Sequence, residues 1–473
     1  MTPYLLTVVL VASTLNAAPA QVAGPTDRGA LERFVDSVVA RGMAAQRIPG
    51  AAFCFVRHAE VFFCKGYGVA DLSQRRPVVP ESTIFRVGSI SKVFTATAVV
   101  QLADRGRLDM TADVRSYLRG AQLADSLLPR VTAEQLLDHT AGFDEIRPGT
   151  QAASEDQVLP LAQFLRPRLI SVFTPGEITS YSTYGMTLAG LLVEQISGLS
   201  FEEYLKRNIW TPLGMSRTSI TVPVSQRPWV AVGYDLVRDT LVPQPWEWYH
   251  TTPASSVNAT AEDMAKFMIA HLREGERDGA RILSDRAARY MQGQHATVHP
   301  RLPGFALGFY EDYVGQLRVI EHGGQMAGFA SWLVLVPQTQ DGFIIMHHRE
   351  NARMRDDLKW ALLTRYYADA RRRLPAPVAA PSFKERVALF TGRYAPTTSC
   401  HSCTPRSVPY ILEVKPTADS TALLAAGNTW IEVEPFLFAQ KDGTGYLTFR
   451  RGSSGAAQYM FAGGSWSWER LPD

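Results

Sequence analysis

The chain has 473 residues, 46% of them hydrophobic and 20% charged, with a formal net charge of +3. That much apolar material is enough for a large core and more than one domain, which excludes a disordered chain. No basic run is longer than Arg371-Arg372-Arg373, so a nucleic-acid partner has no electrostatic basis.

The first twenty residues, MTPYLLTVVLVASTLNAAPA, are apolar but too short to cross a bilayer, and Ala18-Pro19-Ala20 offers small residues for cleavage. Residues 1–20 are therefore expected to be a signal peptide, and the protein to be exported, periplasmic or secreted. The lack of Lys or Arg ahead of the apolar run leaves an uncleaved anchor as the alternative. No later stretch has membrane length, so no stable span is expected after leader cleavage. Residues 29–48 carry apolar side chains at helical spacing: Leu31, Phe34, Val35, Val38 and Val39. Two apolar runs, AAFCFV and VFFCKGYG, flank Arg57-His58-Ala59-Glu60 and read as a hairpin. It would bring Cys54 near Cys64, as a cross-strand disulfide or as two buried thiols, with register deciding between them. The run from Ser89 to Gly106 has the spacing of a buried helix that closes on glycine.

Residues 131–240 read as mostly helical, with a capping box at Thr132 and Gln135 and an apolar helix from Gly185 to Gly198. Thr260 with Asp263 opens another helix, after which FALGFYED, LRVIEHGG, FASWLVLVP and DGFIIMHH read as strands. Strands at both ends with helices between them predict one sheet completed by distant segments. A last helix around 351–369 precedes a Pro-rich linker at 371–382. Residues 383–473 then form an all-β domain of short alternating strands, a small antiparallel barrel or sandwich. Cys400 and Cys403 lack a second ligand pair at metal-site spacing, so a local disulfide is expected there.

Ser89-Ile90-Ser91-Lys92 places a hydroxyl and an ammonium on one helical face. A serine hydroxyl becomes a good nucleophile only when a neighbouring base takes its proton, and a helix N-terminus favours developing negative charge. Alone, the tetrapeptide equally describes a helix start with a snorkelling lysine. It does not stand alone. Phe85-Arg86-Val87-Gly88 leads into it, and Leu136-Leu137-Asp138-His139-Thr140-Ala141-Gly142 follows. Then come Phe173-Thr174-Pro175-Gly176-Glu177, Tyr181-Ser182-Thr183, and His322-Gly323-Gly324-Gln325-Met326-Ala327-Gly328-Phe329. In this order the set resembles the serine β-lactamase and penicillin-recognising superfamily, in its class C branch with esterase and D-peptidase relatives.

The resemblance implies an α/β fold over residues 29–370: an antiparallel sheet flanked by helices, with a helical subdomain and the active site between them. It implies an acyl-enzyme on Ser89, with Lys92 and Tyr181 sharing the proton network; which of the two is the acylation base stays open. It implies an oxyanion hole at the backbone N–H groups of Ser89 and Gln325, and substrate contacts at Thr183, His322, Gly323 and Gly324, the glycines permitting close backbone approach. Two departures bear on substrate. Thr183 lacks the carboxamide that, by the resemblance, would bind the acylamino carbonyl of a β-lactam. His322, largely neutral near pH 7, is a poorer carboxylate anchor than lysine. Both favour a small-molecule or peptide substrate among esters, amides and D-amino-acid peptides. The alternatives are a β-lactamase or penicillin-binding DD-carboxypeptidase, and a non-catalytic wall-binding scaffold. His347-His348, and His295 with His299, lack a completing ligand, so no metal and no cofactor is expected. Trp246, Trp248 and Tyr249 either line an acyl pocket or pack their loop.

Overall fold

A computed structural model describes residues 24–121, 123, 130–315, 317–350, 352–367, 383–452, 455–463 and 466–472. The expected leader over 1–20 and the linker over 371–382 lie outside the described residues. Among those described, no helix is long and apolar enough to cross a membrane.

Helix α1 (Arg28–Gln46) starts where Asp27 accepts a hydrogen bond from the Ala30 N–H, and it stops at Arg47 in a left-handed conformation. Leu31, Val35, Val38 and Val39 form its buried stripe. Strands β1 (Gly50–Arg57), β2 (Glu60–Asp71) and β3 (Arg76–Pro77) follow, with Cys54 directly opposite Cys64. The two sulfurs are joined, so register selects the disulfide over the pair of thiols. The remaining strands of this sheet arrive more than two hundred residues later: β4 (Phe305–Ala306), β5 (Phe309–Val314), β6 (Leu317–Met326), β7 (Phe329–Val336) and β8 (Asp341–His347). The order is β4-β5-β6-β7-β8-β1-β2-β3, with β1 pairing antiparallel to β8. One sheet is thus completed by distant segments, as the strand pattern implies.

Both faces of this sheet are covered. Ala52, Cys54 and Val56 of β1 point into one core, and Ala51, Phe53 and Phe55 into another. The first core is shared with α2 (Ser91–Asp104), α3 (Thr183–Ser197) and α4 (Ala261–Leu272). Every residue of α2 from Ser91 to Leu102 is buried, as a helix with no polar face requires. The second core lies under α1 and α5 (Met354–Tyr366). The capping box of Thr132 and Gln135 is formed in both directions. The helical reading of 131–240 overlooks a hairpin, Tyr234–Val237 with Thr240–Pro243. Its turn residues, Arg238 and Asp239, both adopt positive φ, the conformation that a tight two-residue hairpin turn demands.

The C-terminal strands close into an eight-stranded barrel, sealed by the pairing of Tyr394 with Arg470. Closure leaves no edge strand, which decides for the barrel over the sandwich. The barrel is joined to the helical region by Tyr459 and Phe461, which pack on Phe173 and Ile178, and by the Ser467 hydroxyl, which donates to the Thr179 carbonyl at 2.6 Å. Cys400 and Cys403 form their local disulfide.

Burial holds His271 at about 4 and His322 and His347 at about 3, well below the ordinary histidine value. Their folded-state values are depressed, so between pH 6.5 and 4 the unfolded chain binds protons that the fold refuses, and stability falls as the pH falls. At pH 5 each costs about 2 kcal/mol relative to pH 7. Asp138, pushed up to about 6 by burial, works in the opposite sense and returns about 1 kcal/mol. Burial also raises Glu145, Glu194 and Glu321, which offset part of this loss. Urea unfolding is expected to show lower stability at pH 5 than at pH 7, and a higher midpoint at pH 5 would contradict the burial of these rings.

Candidate active site

Strand segment Phe85–Arg86 runs into a single 3-10 turn, Gly88–Ile90, that carries Ser89 at the mouth of α2. Gly88 takes φ +56°, and a Cβ there would stand 2.7 Å from the Gln325 nitrogen. A Cβ on Gly324 would collide with the Val87 carbonyl and stand 2.5 Å from the Ser331 hydroxyl. These two glycines let β6 lie directly against the turn that presents Ser89. The close approach that Gly324 permits is therefore to the chain's own backbone, and Gly323 likewise backs onto the Trp332 ring. Ser331 on β7 ties the junction by donating to Val87 O at 2.9 Å, and Ser91 does so by donating to Gly88 O at 2.6 Å. From α5, Arg355 donates to the carbonyls of Gly324 and Ser331, holding both strands from the far face.

Lys92, 1% exposed, reaches back along α2 and donates to Ser89 Oγ at 3.1 Å and to the Ala254 carbonyl at 2.8 Å. Its ammonium also lies 4.8 Å from the centre of the Tyr181 ring. Tyr181 stands just ahead of α3, whose first turn is capped by Ser182 accepting from the Gly185 N–H. Ser89, Lys92 and Tyr181, separated by up to 92 positions in the sequence, thus meet at one point.

Sequence reading overlooks the groups that hold Tyr181. His139, buried and at φ 63°, accepts from the Ser182 N–H at 3.2 Å and sets its ring 4.5 Å from that of Tyr181. Burial, with Lys92 close by, keeps His139 well below its usual value, so it is neutral and accepts. Tyr310 on β5 stacks on Tyr181 at 6.2 Å and hydrogen-bonds to it; burial and the Tyr181 oxygen hold its hydroxyl protonated far above the usual range. His322 lies behind this layer, 1% exposed, with Nδ1 at 2.7 Å from Gly323 O and its ring 4.8 Å from Tyr310. Its depressed value makes it neutral. The signal for His139 is present in its motif, but nothing local indicates that its ring would meet Tyr181.

Thr183 opens α3, and its N–H donates to Glu145 Oε2 at 2.8 Å. Glu145 lies with Tyr181, Arg147 and the barrel residues Cys400, Tyr410, Trp466 and Trp468 around a cavity of about 280 Å³. Its neighbour Asp144 is bound by the disulfide loop of the barrel. There it accepts from the His401 and Ser402 N–H groups at 2.9 and 2.8 Å and from the Ser402 hydroxyl at 2.6 Å. The His401 ring, with Nδ1 at 3.3 Å, together with those bonds holds its carboxylate far below the ordinary range despite burial. The other aromatic candidates sit apart, where the Arg86 guanidinium lies 4.4 Å from the Trp246 ring in a cavity also lined by Trp248 and Tyr249.

Substituting Gly324→Ala is expected to leave the far-UV dichroism intact yet slow labelling of Ser89 by a fluorophosphonate about a hundredfold, because the strand facing the serine must retreat. Labelling at the wild-type rate would show that the close approach is irrelevant to the serine.

A beta-lactamase family pattern matches residues 35–366. Protein flp of Staphylococcus aureus (strain MRSA252) is 24% identical over 328 residues, covering 67% of this chain. The chain spans 62% of that relative's length. The octameric penicillin-binding protein homologue from Pyrococcus abyssi superposes with a TM-score of 0.61 at 23% identity, covering 92% of this chain and 98% of its own. A structure of SurE with D-Leu superposes with a TM-score of 0.66 at 22% identity, covering 94% and 99%. Both of these likenesses speak to fold, and at that coverage they extend into the barrel. With the family pattern spanning the sheet, its helices and the meeting point of Ser89, Lys92 and Tyr181, the chain belongs to the beta-lactamase family, whose homologues are serine hydrolases.

Proposed function

We propose that this protein is a serine hydrolase that forms an acyl-enzyme on Ser89 and acts on small esters, amides or D-amino-acid peptides. The observation that carries the reading is the 3.1 Å contact of Lys92 Nζ with Ser89 Oγ beside the Tyr181 ring. Ser89 Oγ attacks the acyl carbonyl while its proton passes into the Lys92–Tyr181 pair. The tetrahedral oxyanion is received by the N–H groups of Ser89 and Gln325, which Gly88 keeps close together. Collapse breaks the bond to the leaving alcohol or amine, which takes up that proton. Water then attacks the acyl-serine, and the same pair takes its proton and returns one to Ser89.

Substrate preference follows from the two sites that depart from β-lactam recognition. Thr183 offers a short hydroxyl, and its N–H is engaged by Glu145. His322, buried and neutral, supplies no charge to hold a β-lactam carboxylate. The D-Leu held by SurE agrees with a D-amino-acyl group in the site. Export to an oxidising compartment, periplasmic or extracellular, is part of the proposal, and the two disulfides support it.

A fluorophosphonate probe is expected to add its mass at Ser89 in the wild type and nowhere in Ser89→Ala; no adduct would favour the scaffold. Lys92→Ala is expected to lower kcat/KM on short-chain p-nitrophenyl esters by about a thousandfold. Rapid turnover of a chromogenic cephalosporin without esterase activity would instead assign the β-lactamase reading.

A further inference from the structure

Resting on the acyl-serine reading, we propose that Glu145 is the receptor for a free ammonium on the acyl side of the substrate, so that the preferred substrates are aminoacyl esters and amides with an unblocked amine. Four observations lead there. Glu145 lines the same cavity as Tyr181, whose ring lies 4.8 Å from the Lys92 ammonium that donates to Ser89 Oγ, so a group bound to Glu145 sits on the Tyr181 side of the reacting serine. Its carboxyl is fixed in place: the Thr183 N–H donates to Oε2 at 2.8 Å, and the Thr183 hydroxyl bonds to it as well. Among the described residues it has no ion-pair partner within salt-bridge distance, although Lys92 and Arg147 act on it from further off. Burial raises its protonation value above the ordinary carboxyl range, so a cation held against it would be favoured over bare burial of the carboxylate. An arriving ammonium would pair with the group and draw it to the carboxylate.

The two neighbouring acids divide the work. Asp144 is fully occupied by the barrel loop of His401 and Ser402, which fixes the backbone from which Glu145 projects. The barrel lines the cavity with Pro396, Pro409, Tyr410, Trp466 and Trp468 interspersed with Thr398 and serines. That lining suits the side chain of an amino acid whose ammonium rests on Glu145. Thr183, which cannot present a carboxamide, instead holds a carboxyl in position, and the charge preference of the site changes with it.

The test uses the full-length protein and paired substrates: the p-nitroanilides and benzyl esters of D- and L-leucine and phenylalanine, each with a free or an acetylated amine. The wild type is expected to favour the free amine by at least about tenfold in kcat/KM, and Glu145→Gln to collapse that ratio at least about tenfold through KM. Glu145→Asp, which keeps the charge, is expected to retain part of the preference. Equal rates on both members of each pair, a preference for the acetylated member, or no turnover of either while fluorophosphonate still labels Ser89 would each overturn the inference. Failure to label Ser89 would overturn the acyl-serine reading instead. The wild-type ratio is decisive even where a variant folds poorly.

Discussion

The site depends on a single close approach, that of β6 to the turn bearing Ser89. Two residues without side chains, Gly88 and Gly324, allow the backbones of a strand and of a helix entrance to touch, and any Cβ at Gly324 would meet the Val87 carbonyl. Around that contact the protein concentrates its polar bonds. Ser331 bonds Val87 O, Ser91 bonds Gly88 O and accepts from the Val257 N–H, and Arg355 grips the neighbouring carbonyls from behind. Apart from Ser91, these partners come from segments far from the turn in sequence, so the geometry at Ser89 exists only when the sheet and the helical region are docked.

Lys92 and Tyr181 inherit their positions from this frame. The lysine is buried on a helix that has no exposed face, and its ammonium is satisfied by Ser89 Oγ and Ala254 O. The tyrosine is enclosed by His139 and Tyr310, both held in their neutral forms by burial, and its ring lies 4.8 Å from Lys92 Nζ. The barrel extends the frame outward. Its disulfide loop encloses Asp144, and its tryptophans complete the cavity that Glu145 and Tyr181 begin. The barrel therefore borders the cavity that Tyr181 lines, while Ser89, Lys92 and Tyr181 themselves come from the preceding region.

Much of this is legible in the order of residues alone. The hairpin of Cys54 and Cys64, the capping box of Thr132 and the N-cap of Thr260, the strand runs after residue 300 and the all-β end each carry local periodicity or capping chemistry. Local signals also mislead. The run 429–440 reads as one strand, yet it bends at Phe436, at φ 69°, into two barrel strands. The hairpin at Arg238 and Asp239 lacks the glycine or asparagine that usually marks such a turn.

By itself the sequence determined which groups could do chemistry: a Ser-x-x-Lys pair whose helical spacing guarantees that hydroxyl and ammonium share a face, and an ordered set of motifs around it. Only the tertiary structure decided what surrounds them. That His139 and Tyr310 hold Tyr181, that Gly324 faces Val87 and not open space, and that Glu145 shares a cavity with barrel tryptophans are contacts across tens to hundreds of residues. Such contacts follow from sheet order and domain docking, which buried area and steric fit set over the whole chain and which no local spacing encodes.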